Sequence, residues 1–332
     1  MPILDVRNLT TRIDTARGPL QVVDDVSFAV EQGECFGLVG ESGSGKSMTI
    51  KSILGLVPPP GRVTAGAVMH GGKDLTTISA AQMTGIRGKS IATIVQDAVS
   101  ALNPVYTVGR QIAEPMLEHG IVKTRAEARA RTIALMARVG IPAPERRIDD
   151  YAHQFSGGMC QRVVIAAALS CSPGLILADE PTTALDVTIQ DQILKLLMAL
   201  QHELGLSLVL VTHDLGVVAQ TCQRVAVMYA GQIVELATTA DLFRTPRHPY
   251  TIGLLNCIPR LDGPPRRLTP IPGSPPDLAT APSGCRFHPR CPLAVDACRS
   301  GHPALADVAP GHLSRCIRQD ALTPAIWEQA DA

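Results

Sequence analysis

The sequence is poor in aromatic residues, since Phe, Trp and Tyr together make up only 3% of its 332 residues. Proteins that bind single-stranded nucleic acid stack the bases on such rings. The formal net charge is zero, because 30 basic side chains balance 30 acidic ones. No global positive field is therefore available to attract a phosphate backbone, and the composition argues against direct binding of nucleic acid.

Two kinds of hydrophobic segment are also missing. No uninterrupted apolar run approaches the roughly 18 residues of a membrane span. The N-terminal stretch MPILDVRNLT has neither the basic start nor the apolar core of a secretion signal. We expect a cytoplasmic chain, one that is free to sit on a membrane protein. Nine cysteines in such a chain do not predict a disulfide framework.

What is present is an alternation of strand-like and helical runs over the first 260 residues or so. This alternation predicts an α/β fold with a largely parallel sheet, and the length suggests about two domains. Residues 101–170 are more helical, and 124–140 predict a helix with a solvated, charged face. The strand candidates are CFGLV (35–39), SIATIV (90–95), LILAD (175–179), LSLVLVTHD (206–214) and RVAVMYA (224–230).

A glycine-rich stretch, GESGSGKS, follows the first of these strands and matches the pattern G-x-x-x-x-G-K-[ST]. The apolar spacing of residues 48–57 predicts a helix directly after it. Glycines let successive backbone N–H groups point toward an anion, and the helix adds its positive end. Lys46 is predicted to reach the β- and γ-phosphates, and Ser47 to ligate Mg²⁺. The predicted ATP-binding loop consists of Gly40, Glu41, Ser42, Gly43, Ser44, Gly45, Lys46 and Ser47.

Two acidic residues stand at the end of the strand-like stretch LILADE (175–180). Asp179 is predicted to hold Mg²⁺, and Glu180 to orient or deprotonate the attacking water. A strand that ends in two acids is also compatible with a solvated strand end, but the glycine loop in the same chain favours the nucleotide site.

The stretch HQFSGGMCQR (153–162) resembles the signature sequence of ATP-binding cassette (ABC) ATPases through Ser156, Gly157 and Gly158. Further motifs of that family follow the expected order across residues 4–245. Gln96 in IVQD resembles the Q-loop glutamine, which implies sensing of the γ-phosphate and contact with ATP and Mg²⁺. Asp186 in ALD resembles the D-loop residue.

His213 in VTHD resembles the switch histidine of the same family. The predicted catalytic residues are therefore Glu180, His213 and Gln96. Two departures accompany the resemblance. Phe155 and Met159 flank the signature where Leu and Gln are commoner. Ile13 stands where many family members stack an aromatic ring on adenine, so how adenine is held stays open.

The resemblance implies an ABC ATPase cassette over residues 1–258, with a RecA-like parallel sheet and a helical subdomain at about 98–170. In the family, the signature completes the ATP site of the opposite subunit. A chain with one cassette therefore implies a dimer, of itself or of a close relative.

Three longer stretches narrow the resemblance to the ATPase subunits of dipeptide, oligopeptide and nickel importers, closest to the dipeptide type: 100–115, 244–255 and 285–298. It implies ATP-driven peptide uptake with a second homologous ATPase subunit, two transmembrane permeases and an extracytoplasmic solute-binding protein. It also implies a peripheral location on the cytoplasmic face of the bacterial inner membrane. A nickel or other small-solute importer is the alternative, and a soluble ABC ATPase acting on nucleic acid or ribosomes is less favoured.

The C-terminal part has its own composition. Residues 259–283 hold eight of the 26 prolines and predict an extended linker, followed by a cysteine-bearing extension over 284–332. Four thiolates suit Zn²⁺ or an iron–sulfur cluster, and a module this small needs such a staple. The candidate metal ligands are Cys285, Cys291, Cys298 and Cys316.

The spacing of these four cysteines lacks the short C-x2-C knuckles of structural zinc sites. The resemblance implies a [4Fe–4S] cluster with a structural or redox-sensing role. Zinc is the alternative, and free or disulfide-bonded thiols are a third reading. The remaining cysteines are predicted to be small packing residues: Cys35, Cys160, Cys171, Cys222 and Cys257.

Overall fold

The computed structural model describes residues 2–16, 18–258, 270–323 and 326. Its strands are β1 Leu4–Thr15, β2 Gly18–Val30, β3 Cys35–Val39, β4 Gly61–His70, β5 Lys73–Asp74, β6 Ile91–Ile94, β7 Leu175–Asp179, β8 Ser207–Thr212, β9 Arg224–Tyr229, β10 Gln232–Thr238, β11 Ala306–Ala309 and β12 His312–Ser314. Its α-helices are α1 Lys46–Ile53, α2 Ala80–Thr84, α3 Ala98–Ala101, α4 Val108–Glu118, α5 Arg125–Arg138, α6 Pro144–Arg147, α7 Gly157–Leu169, α8 Val187–Leu204, α9 Leu215–Thr221, α10 Thr239–Arg244, α11 Pro249–Asn256 and α12 Asp296–Ser300. Short 3₁₀ turns occupy Ala152–Gln154, Leu278–Thr280, His288–Arg290 and Gln319–Ala321.

The chain forms two compact units. The first unit consists of Met1–Leu4, Val30–Cys35 and Thr77–Val211. The second unit consists of Asp5–Ala29, Phe36–Thr76 and Thr212–Ala332.

The first unit contains a parallel ladder of β6, β7 and β8, together with helices α2 to α8. Strand β7 lies between β6 and β8, and its residues 175–178 are all buried. Strands covered on both faces read as continuous apolar runs, which is why LILAD is so hydrophobic. Side-chain caps start the four longest helices of this unit: Thr107 on α4, Thr124 on α5, Ser156 on α7 and Asp186 on α8.

The second unit contains a mixed ladder in the order β11-β12-β10-β9-β3, in which β3 and β9 are parallel and the other pairs antiparallel. A two-residue turn, Ala230 and Gly231, joins β9 to β10, and both residues have positive φ, as a tight hairpin turn requires. A separate four-stranded sheet has the order β2-β1-β4-β5. Aromatic side chains of 229, 250 and 287 pack together beside the mixed ladder, with ring centroids 4.7 to 5.4 Å apart.

The predicted α/β class is confirmed, and each predicted strand contains an observed one. The predicted helix at 124–140 is also confirmed as α5. The helix predicted over 48–57 is only partly right, because α1 starts at Lys46 and ends at Ile53. Gly55, with φ of 60°, and the prolines at 58–60 stop it. The sheet is less parallel than expected, because β10, β11 and β12 are antiparallel additions.

The predicted linker is only partly covered by the structure. Residues 259–269 lie outside the described residues, and so does most of the extension beyond 323. The domain limits at 258, 283 and 284 therefore stay predictions. None of the helices in the described ranges has the length and apolar character of a membrane span.

Candidate functional site

The predicted strand, glycine loop and helix are present in the second unit as β3, residues 40–45 and α1. The amino group of Lys46 donates hydrogen bonds to the carbonyl oxygens of Gly40 at 2.7 Å and Glu41 at 2.9 Å. Its side chain is almost fully buried. The lysine charge is therefore held against the loop itself, at the start of a helix whose first N–H groups face the same end.

The loop rests on the β9–β10 turn. The N–H of Gly231 donates to the carbonyl oxygen of Ser44 at 2.8 Å, and the N–H of Glu41 donates to the Tyr250 hydroxyl at 2.9 Å. Ser44 is buried, Ser47 is half-buried in the first turn of α1, and Ser42 and Gly43 form the exposed tip. The loop is therefore supported from below while its tip faces solvent.

The acidic pair lies in the first unit at the end of β7. Glu180 accepts hydrogen bonds on Oε2 from the amide of Gln96 at 3.2 Å and the hydroxyl of Thr183 at 2.8 Å. Its φ is 47°, a left-handed conformation that is unusual for a side chain of this size. Its N–H donates to the carbonyl oxygen of Val211 at 2.9 Å. Such backbone strain is concentrated at functional sites, and here it accompanies the pairing of two predicted catalytic residues.

The signature residues also lie in the first unit, at the start of α7. Ser156 caps this helix by accepting from the N–H of Met159 at 3.4 Å. A Cβ on Gly158 would lie 2.6 Å from the Cγ2 of Ile189 on α8, so the close approach of the two helices requires glycine there. Asp186 caps α8 through the N–H of Ile189 at 3.0 Å. The structure thus brings the signature and the D-loop together within one unit.

The sequence departures have simple local settings. Phe155 is buried, and the guanidinium carbon of Arg147 lies 5.6 Å from the centre of its ring. Met159 is half-buried in α7, and Ile13 is half-buried in β1 of the second unit. His213 is exposed directly after β8, and the next residue, Asp214, caps α9. The roles of His213 and Ile13 stay predictions.

Four cysteines of the second unit converge, as their prediction as a ligand set requires. Cys285, Cys291, Cys298 and Cys316 all line one cavity of about 20 Å³. Burial raises the pKa of Cys291 to about 12 and that of Cys316 to about 11. These thiols therefore hold their protons at neutral pH unless a cation compensates for the buried charge.

Four thiols are a donor set suited to zinc or an iron–sulfur cluster, so the residue types fit the expected group. The cavity itself offers about the space of one water molecule. Within the described part of the chain, no group of three or more His, Cys, Asp or Glu side chains is arranged to hold a metal ion. The four donor residues are gathered at one cavity.

The other five cysteines are not all packing residues. Those at 35, 160, 171 and 222 are buried, as expected. Cys257 is exposed where α11 ends, so the packing prediction is wrong for it, because the apolar face of α11 ends before this residue. None of the nine cysteines, which all lie in the described part of the chain, forms a disulfide.

Two arginines in the segment CRFHPRC make contacts that the sequence did not predict. Arg290 forms a bidentate ion pair with Glu41 of the glycine loop, at 2.8 Å and 3.1 Å. Arg286 donates to Asp24 at 2.7 Å and to the carbonyl oxygen of Ala230 in the β9–β10 turn. The only signal in the sequence was their placement between two candidate metal ligands, which does not indicate a partner some 250 residues away.

Comparison with known proteins agrees with this geometry. A family described as ABC transporter matches residues 23–183, and one described as oligopeptide/dipeptide transporter, C-terminal region, matches residues 234–298. The dipeptide transport ATP-binding protein DppD of Bacillus subtilis is 49% identical over 319 residues, which cover 96% of this chain and 95% of that protein. DppD of Escherichia coli is 47% identical over 318 residues, covering 95% of this chain and 96% of its own.

Among solved structures, a dimeric post-hydrolysis state of the ATP-binding cassette MJ0796, bound to ADP and Pi, is similar with a TM-score of 0.64. It is 28% identical, and the match covers 71% of this chain and 98% of that one. The predicted resemblance and the P-loop cassette fold are confirmed. The chain belongs to the ATP-binding subunits of ABC transporters, in the group that carries the oligopeptide/dipeptide transporter C-terminal region.

Proposed function

We propose that this chain is the ATP-hydrolysing subunit of an ABC importer that powers uptake of dipeptides or oligopeptides across the cytoplasmic membrane. The glycine loop carries the proposal. The amino group of Lys46 is held at the carbonyl oxygens of this loop, and the loop leads directly into the N-terminus of α1. This arrangement suits a triphosphate. The relatives named for dipeptide transport support peptides as the cargo class.

The catalytic roles follow from the chemistry of each side chain. Lys46 is proposed to pair with the β- and γ-phosphates, and Ser47 to ligate the Mg²⁺ that ATP brings. Gln96 and Asp179 are each proposed as Mg²⁺ ligands. Glu180 orients or deprotonates the attacking water. The hydrogen bond from Gln96 to Oε2 holds the Glu180 carboxylate in place.

His213 is proposed to contact the γ-phosphate as the switch residue. The backbone N–H groups after Ser156 are proposed to close the ATP site of a partner subunit, in the way that a helix N-terminus binds an anion. Asp186, at the start of α8 beside that signature, is proposed to take part in the same subunit contact. The dimeric state of the MJ0796 cassette supports this arrangement.

The substitution Glu180→Gln tests the catalytic assignment. Because the amide cannot accept a proton from water, hydrolysis should fall by at least about 100-fold, while ATP stays bound. The measurement is phosphate release together with retained nucleotide in the assembled transporter. Thr183→Val removes the other hydrogen bond to the same carboxylate and is the matched control, expected to keep most of the activity. Undiminished hydrolysis by Glu180→Gln would remove this residue from the catalytic role.

The partners follow from the proposed importer class. They are a second, homologous ATPase subunit, two transmembrane permeases and an extracytoplasmic solute-binding protein, with this chain bound peripherally at the cytoplasmic face of the inner membrane. Affinity purification from solubilised membranes should recover the permeases together with the second ATPase. Recovery of ribosomes or DNA instead would contradict the importer assignment.

We also propose that the four converging cysteines hold a [4Fe–4S] cluster, which would cross-link the C-terminal extension. The support is their common cavity and an all-thiol donor set. Anaerobic purification should yield about four iron and four sulfide per chain. Cys298→Ser should lose them, and Cys257→Ser, at an exposed position outside the cavity, should not. Recovery of one zinc per chain without sulfide would show that these cysteines bind zinc and not a cluster.

A further inference from the structure

The segment between the first two cavity cysteines contacts the glycine loop directly. The Arg290 guanidinium meets both carboxylate oxygens of Glu41, from Nη1 to Oε2 at 2.8 Å and from Nη2 to Oε1 at 3.1 Å. The Arg290 side chain is 5% exposed and that of Glu41 29%. A bidentate, charge-assisted pair with one partner this deeply buried is among the stronger polar contacts in proteins.

The guanidinium is held on its other sides as well. Its Nε donates to the carbonyl oxygen of Pro272 at 2.9 Å, and Nη2 reaches the carbonyl oxygen of Ile271 at 3.4 Å. Nη1 also lies 3.5 Å from the Tyr229 hydroxyl. These contacts leave Arg290 one orientation, with its fork toward the loop.

Glu41 stands at a position where a free carboxylate would oppose the ligand. It is the second residue of the loop, and its carbonyl oxygen accepts from the amino group of Lys46. Like charges that are close and partly buried repel strongly. A negative side chain beside a triphosphate site therefore needs a compensating charge, and Arg290 supplies it.

Arg286, at the other end of the same segment, contacts the β9–β10 turn against which the glycine loop packs. It donates to the carbonyl oxygen of Ala230 and to Asp24. The neighbouring residue of that turn, Gly231, donates to Ser44. The segment 285–291 thus contacts both the loop and the turn that carries it.

We propose that Arg290 is a positioning residue for ATP: it neutralises and anchors the Glu41 carboxylate, so that the C-terminal extension sets the affinity of the glycine loop for the nucleotide. This inference rests on the proposed ATP site at that loop. It assigns the extension an effect on ATP binding in addition to any cluster that it holds.

The test replaces each of the two charged residues by an uncharged glutamine and measures ATP hydrolysis by the assembled transporter. Arg290→Gln leaves the Glu41 charge uncompensated and should raise the KM for ATP roughly tenfold, with kcat changed less than about threefold. Adding Glu41→Gln to that variant removes the repulsion and should restore most of the lost affinity. The defect of Arg290→Gln should also shrink as salt concentration rises.

The second-site restoration separates positioning from a merely structural role, because Glu41→Gln cannot repair a damaged cysteine cavity. A KM within twofold of the wild type for Arg290→Gln, or a double variant as impaired as the single one, overturns the proposal. Arg299→Gln changes an exposed arginine of the same extension and is the matched control, expected to keep the wild-type KM.

Two further variants complete the design. If Arg290→Gln does not fold, Glu41→Gln alone decides, because removal of the carboxylate should lower the KM about two- to threefold. A raised KM in this variant contradicts the electrostatic role. Lys46→Ala tests the ATP site itself. If it leaves ATP binding intact, the proposed function fails, whereas normal Arg290 variants beside a defective Lys46→Ala refute this inference alone.

Discussion

Gly40 and Gly43 lie in the same loop and both have positive φ, of 155° and 77°, but their surroundings differ. A Cβ on Gly40 would lie 2.1 Å from the carbonyl oxygen of Met228, a backbone atom that cannot turn away. Nothing lies within 4 Å of a Cβ on Gly43. At the scale of the residue, Gly43 is required by its backbone conformation alone. Gly40 is required both by its backbone conformation and by the lack of space for a side chain.

This difference predicts unequal effects of the same substitution. Gly43→Ala should lower the free energy of unfolding by roughly 1 kcal/mol, the cost of a side chain in the left-handed region. Gly40→Ala should lower it by at least about 3 kcal/mol, because β9 or the loop must also move. Denaturant unfolding of the full chain measures both, and equal losses would contradict the assigned contact.

At the scale of the element, α11 begins at a titratable cap. His248 is 1% exposed, and its Nδ1 accepts a hydrogen bond from the N–H of Tyr250 at 3.1 Å. Burial, with the charge of Arg315 nearby, lowers the pKa of His248 to about 3. The folded helix therefore keeps a neutral imidazole over a pH range in which an unfolded chain would protonate it.

The sign of the pH dependence follows. Below about pH 6.5 His248 of the unfolded chain binds a proton, whereas His248 of the folded chain stays neutral down to about pH 3. As the pH falls through this window, the free energy of unfolding therefore falls by up to about 1.4 kcal/mol per pH unit. His248→Asn keeps a good cap without the titration. Its unfolding free energy should fall less steeply between pH 6 and pH 4 than that of the wild type. Parallel curves would show that His248 does not contribute.

The helix pair α7 and α8 illustrates a second rule at this scale. The signature glycine at 158 serves the packing of the two helices, because Ile189 occupies the space of a Cβ. Gly158, one of the residues that the family resemblance marks for partner binding, is thus also the residue that lets the two helices approach. A substitution there changes both at once.

At the scale of the whole molecule, the chain is proposed to supply a nucleotide loop to one ATP and a signature to another. Ser156→Arg separates these roles. It should leave the affinity of the isolated chain for ATP within about twofold, because its own loop is intact, and should lower hydrolysis by the assembled transporter roughly 100-fold. Nucleotide binding and phosphate release are the two measurements. Normal hydrolysis in the assembly would refute the shared site.

Several segments of the candidate site can be recognised from the sequence alone. The loop 40–47, the acids at 179 and 180 and the signature at 156–158 are contiguous strings, so each can be recognised from residue type and spacing alone. The strands were readable for the same reason, because burial on both faces demands an apolar run. The antiparallel strand β10 and the end of α1 were not, because they depend on pairing partners and on turn geometry elsewhere in the chain.

Residue type and short spacing alone therefore indicate a glycine-rich loop before a helix, an acidic pair at a strand end and a set of four cysteines, for which we propose the roles given above. The packing of the folded chain is what shows that Gln96 hydrogen-bonds Glu180, that four cysteines line one cavity and that Arg290 forms an ion pair with Glu41. The last pair is 249 residues apart. Contacts at such separations arise from the packing of whole elements, which no local pattern encodes.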